Sequence, residues 1–71
     1  MKKENQKLFF KLGALLSDLT EEQVATNAEL QLFAQRLNNA IFKGMEYSAE
    51  ELAEYDNKEF LENLINIAKG L

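Results

Sequence analysis

Four residue types that usually carry chemistry or set backbone geometry are missing or scarce in this 71-residue chain. It has no cysteine, no histidine and no proline, and only three glycines. Without cysteine there is no disulfide staple and no thiolate metal site. Without histidine the usual general base and the commonest metal ligand are gone. Without proline, and with little glycine, long uninterrupted helices are favoured over strands and tight turns. No apolar run approaches the roughly 20 residues that span a bilayer. The opening MKKENQKLFFKLGALLSDL has the basic start of a secretion signal, but Lys11 interrupts its apolar stretch and no small-x-small cleavage site follows. It reads as a helix, and the chain is expected to be cytoplasmic. Lysine outnumbers arginine seven to one and asparagine is abundant. That usage is associated with AT-rich coding in a bacterium or its phage.

What is present is core material. Hydrophobic residues make up 46% of the chain, with five Phe and two Tyr among them. Disorder is excluded on that composition. A chain of this length buries only about 60% of its unfolded surface, so its one domain, residues 1–71, must pack densely.

The apolar spacing is helical nearly throughout. It predicts an all-α fold, a small bundle or orthogonal array of three to four helices at about 4–18, 21–43, 49–55 and 57–69. In the first helix Leu8, Phe9, Leu12, Leu15, Leu16 and Leu19 share one face, and Glu4, Lys7, Lys11 and Asp18 form a band beside it. In the second segment two start signals compete. Thr20 caps with Gln23 in the box position, between Leu19 and Val24. Thr26 repeats the signal with Glu29, so a break near 26 stands beside a continuous helix. Leu30, Phe33, Ala34, Leu37, Ala40 and Ile41 make the core stripe, and Gly44 is the stop. The last helix buries Phe60, Leu61, Leu64, Ile65, Ile67, Ala68 and Leu71, with Glu59, Glu62, Asn63, Asn66 and Lys69 in water.

Residues 44–62 hold seven carboxylates and one cation, Lys58. Helix starts explain much of this block. Ser48 and Asp56 read as caps, Glu51 and Glu59 as their box partners, with Tyr47–Leu52 and Tyr55–Phe60 as hydrophobic staples. Lys58–Glu62 reads as an i,i+4 ion pair. Glu46, Glu50 and Glu54 have no local role and form a candidate acidic surface.

Catalytic chemistry is thin. Ser17, Thr20 and Ser48 are the nucleophile candidates, and none has a histidine base. Asp56, Asn57 and Glu59 do not follow the calcium-loop spacing. No catalytic residue, metal or cofactor is expected. The distinctive feature is the second face of the first helix. Phe10, Gly13, Ala14 and Ser17 carry no charge, and a mid-helix glycine implies a close neighbour. With Leu32 and Phe42, which fall off the core stripe, they form the expected self-association or partner face. The leading expectation is a non-enzymatic protein-binding module, a small regulator or inhibitor, acting as a homodimer or on a protein partner, with nucleic acid and membrane disfavoured. The alternatives are an acidic nucleic-acid mimic acting through Glu46, Glu50 and Glu54, and a DNA-binding regulator using Lys2, Lys3, Lys7 and Lys11.

Overall fold

The computed structural model describes all 71 residues, and they form five helices with no strand. These are α1 (Lys3–Ser17), α2 (Glu21–Ala25), α3 (Ala28–Phe42), α4 (Ala49–Tyr55) and α5 (Lys58–Lys69). The all-α expectation holds, with α2 and α4 as short pieces between three longer helices. No helix is long and apolar enough to cross a membrane.

Two starts form as the local signals demand. The Thr20 hydroxyl accepts from Gln23 N at 3.1 Å, and the Gln23 side chain accepts from Thr20 N at 2.9 Å. Ser48 and Glu51 make the same reciprocal pair, both at 3.1 Å. Each box satisfies two backbone donors that the first turn would otherwise leave open.

Two other starts differ by one residue from the sequence expectation. The break near 26 is real, but Asn27 is the cap of α3, accepting from Glu29 N and Leu30 N at 3.0 and 3.1 Å. Thr26 keeps helical backbone angles and turns its hydroxyl back to the Gln23 carbonyl at 2.6 Å. Likewise Asn57, not Asp56, caps α5 through Phe60 N at 3.1 Å, and Glu59 completes no box. Asp56 is diverted to a distant task. Its Oδ1 accepts from Asn5 Nδ2 at 2.6 Å and from Lys2 N at 3.2 Å, tying the start of α1 to the α4–α5 junction. The expected Lys58–Glu62 ion pair is also missing, because both ion pairs in the protein belong to Arg36.

The core is built mainly by α1 against α5, with α3 crossing both. Leu12 and Leu16 meet Leu61, Leu64, Ile65 and Ala68, and Val24, Leu30, Phe33 and Tyr55 complete the cluster. Leu12, Leu30, Leu61 and Leu64 are fully enclosed, each contributing roughly 2 kcal/mol by leaving water. Aromatic edges fill the other end. Phe9 packs on Phe33 at 5.0 Å between ring centroids, and Phe33 on Tyr55 at 5.2 Å, both edge-on. Tyr55 and Phe60 stack at 5.8 Å, so the contact expected of a staple survives without the Asp56 cap.

The water-facing residues predicted for α5 are all exposed. On α3 the expectation fails at its end. Ile41, assigned to the core stripe, is 63% exposed. It lies at the edge of that stripe, and no other helix covers it. Leu71 is also partly exposed, its carbonyl accepting from Gln23 Nε2 at 3.2 Å. Gly44, at φ 66°, turns the chain after α3 and lets Met45 N–H reach the Asn39 carbonyl at 3.1 Å.

Candidate functional site

Gly13 on α1 faces Leu37 on α3 at close range. A Cβ on Gly13 would stand 3.3 Å from Leu37 Cδ2. The glycine is therefore used inside the fold. α2 packs on α3 beside this contact. The result is a groove of about 580 Å3 between α1, α2 and α3. Its floor is Leu16, Val24, Ala34 and Leu37, all part of or packed against the core. Gly13 and Ser17 form the α1 wall; Gln31, Gln35, Asn38, Ile41 and Phe42 form the α3 wall. Phe42 at the edge is 80% exposed.

The chemistry of this groove is apolar and neutral. Glu21 is the one charged residue lining it, in a chain of net charge −4. The Ser17 hydroxyl is turned onto its own helix, donating to the Ala14 carbonyl at 2.6 Å. Gln31, Gln35 and Asn38 recur at helical spacing with Phe42 and supply amide groups on the rim.

The six residues expected to form a partner face separate. Gly13, Ser17 and Phe42 come together in the groove. Phe10 is 71% exposed, and Ala14 is exposed with it, on the outer side of α1. Lys3, Lys7 and Lys11, at four-residue intervals, run along that same side. Leu32 is partly exposed but lies on another side of α3 and does not line the groove. The pattern did not single out Ile41, Ala34, Leu37, Val24 or the amide row. The available signal was the run Gln31, Gln35, Asn38, Phe42, which leaves most of the outer face of α3 without charge.

The acidic block has more internal work than its spacing revealed. Arg36 Nε meets Glu51 at 3.1 Å, and Nη1 meets Glu54 at 3.3 Å and donates to the Tyr55 hydroxyl at 2.9 Å. The guanidinium also lies 5.6 Å from the Tyr55 ring centroid. This junction pins α4 to α3. The Ser48 backbone bond holds the Glu51 carboxyl below its usual range, with Arg36 adding to the effect. Asn5 does the same for Asp56, helped by the Lys2 N–H. Glu54 therefore has a structural partner, whereas Glu46 and Glu50 remain on the surface.

Burial pushes the Tyr47 hydroxyl up to about 12. That hydroxyl has no hydrogen-bond partner and borders a small recess of about 60 Å3 with Arg36, Asn39, Met45, Glu46 and Glu51. The Thr20 and Ser48 hydroxyls accept cap bonds. No three acidic side chains gather as a metal site would require. Lys2, Lys3, Lys7 and Lys11 are all exposed.

No protein-family model, curated protein or solved structure matches the chain.

Proposed function

We propose that this chain is a non-enzymatic protein-interaction module, a small regulator or inhibitor that docks apolar helix surface on a protein partner or a second copy. The observation that carries the reading is the neutral groove between α1, α2 and α3, with Ile41 and Phe42 standing in water at its edge. Covering a Phe side chain is worth roughly 1.5–3 kcal/mol. A concave apolar surface beside two exposed large side chains is the pattern of an interaction site. The module works without metal or cofactor, and the cysteine-free sequence suits the reducing cytoplasm.

The acidic-mimic alternative draws less support. Glu51, Glu54 and Asp56 are spent on Arg36, Asn5 and Lys2, which leaves Glu46 and Glu50, with Glu59 and Glu62 on the separate helix α5, as a sparse charge set. The DNA-binding alternative keeps Lys2, Lys3, Lys7 and Lys11 exposed, but the chain carries a net charge of −4, which opposes binding to phosphate.

Photo-crosslinking tests the module directly. A benzophenone amino acid replaces Phe42 in cells that make the protein. The expected outcome is a discrete protein adduct, of this chain or another, that disappears when Ala34→Arg blocks the groove. No adduct, or one indifferent to Ala34→Arg, sinks the reading.

A further inference from the structure

We propose that the occupant of the α1–α2–α3 groove is a second copy of this chain, related by a two-fold axis beside Asn38, so that Phe42 of each copy sits over Ala34 of the other. This rests on the reading of the groove as a docking site and names its partner.

Three observations converge on a second copy. The first is shape. A two-fold interface uses one patch twice, so the patch must carry both a projection and a hollow that receives it. Here both occur on one side of α3. Ile41 and Phe42 project, at 63% and 80% exposure, and the hollow lies alongside.

The second is register. Where two α3 helices cross antiparallel at Asn38, residues equally far from that point face each other. Phe42, four residues after Asn38, then meets Ala34, four residues before it. Ile41 meets Gln35 in the same way. The most exposed side chain lining the groove lands on the small residue that α3 contributes to its floor, the large-against-small match that fills an interface without strain. The Asn38 side chains meet at the axis, where an amide can both donate to and accept from its own copy. A polar pair of that kind fixes register between identical helices.

The third is charge. Two copies of a chain with net charge −4 repel, and exposed carboxylates on α2, α4 and α5 make most faces unsuitable. The groove face carries only Glu21. It is the face on which like-charge repulsion is least, which favours a copy of the same chain without demanding any compensating cation from a foreign partner.

The absence of cysteine makes the register testable. The experiment has two arms, light scattering across a micromolar dilution series and oxidative crosslinking of single-cysteine variants. Wild type is expected at twice 8.1 kDa. Phe42→Glu should dissociate more than tenfold more readily with unchanged helicity, while Phe42→Leu keeps the dimer. Asn38→Cys should form a disulfide-linked dimer readily, because Cα atoms at a two-fold axis can approach to about 6 Å. Leu32→Cys, partly exposed on another side of the same helix, should link slowly; this arm holds even if Phe42→Glu disturbs folding. A wild type that stays at 8.1 kDa overturns the second copy. The docking reading then survives only if the residue-42 photo-crosslink captures a different protein. A dimer untouched by Phe42→Glu, with Leu32→Cys linking as fast as Asn38→Cys, overturns both.

Discussion

α5 and α3 are both amphipathic helices of this core, and they end differently. α5 covers its apolar stripe with α1 and turns Glu59, Glu62, Asn63, Asn66 and Lys69 to water. α3 covers its stripe as far as Ala40 and no further. Its last turn carries Ile41 and Phe42 into solvent, beside a row of amides instead of charges. The lesson lies in the polar side. A helix with a charged outer face is finished on that side by water. A helix whose outer face is amide and aromatic has a surface that a second protein can cover at little desolvation penalty, since no charge need be buried.

Core truncation gives the largest effect separating the two helices. Leu64→Ala, in the enclosed part of α5, is expected to lose about 2–5 kcal/mol in urea unfolding. Phe42→Ala, measured in dilute protein, should stay within about 0.5 kcal/mol of wild type. An equal loss at both positions, growing with protein concentration, would mean that Phe42 is already covered by a partner copy.

The Arg36 junction comes next. Arg36→Met should lower Tm by a few degrees, less than Leu64→Ala, and wild type should lose part of its advantage in high salt as the two carboxylate contacts are screened. Hydrogen exchange should quicken in α4 and stay unchanged in α5. Uniform quickening would show that α4 is not a separately held piece.

A smaller effect concerns Tyr47. Its hydroxyl is buried without a partner, and its folded pKa of about 12 stands above the ordinary 10.0. A raised pKa in the folded state favours the protonated form. The associated stability is complete below pH 10.0 and is lost as pH climbs to about 12. Tyr47→Phe should therefore match wild type at neutral pH and resist alkaline unfolding better. Tyr55, also raised by burial, keeps some alkaline sensitivity in the variant. Identical alkaline curves for Tyr47→Phe and wild type would contradict the burial of this ring.

Gly13→Ala should have the smallest effect. Alanine gains up to about 1 kcal/mol of helix propensity, against a Cβ placed 3.3 Å from Leu37 Cδ2. Leu37 borders the open groove and can shift into it, so slight stabilisation is expected. A clear loss in thermal melts would show that the α1–α3 crossing is rigid.

The sequence was most informative where structure is local. The α5 faces and the Thr20 and Ser48 boxes depend on residues within a turn of one another, and they stand as the spacing implies. Asp56 was misassigned because its partners, Asn5 and Lys2, lie 51 and 54 residues away. Thr26 and Asn27 both carry cap chemistry, and backbone angle decides between them. Part of the site was legible as well. Gly13, Ser17 and Phe42 stood out by lacking charge or by lying off the stripe. Ile41 did not, because period alone cannot say where the covering helices stop. The groove is lined by residues of α1, α2 and α3 together, and no single segment encodes how they meet.

The pairing of α1 with α5 also bears on how the chain is made. Synthesis proceeds from the amino end, and α1 emerges long before α5. Until residues 58–69 leave the ribosome, Leu12 and Leu16 lack the surface that encloses them. The core around Leu12 and Leu16 therefore closes only after α5 has been made. A ribosome stalled before Leu61 would display α1 to any chaperone nearby.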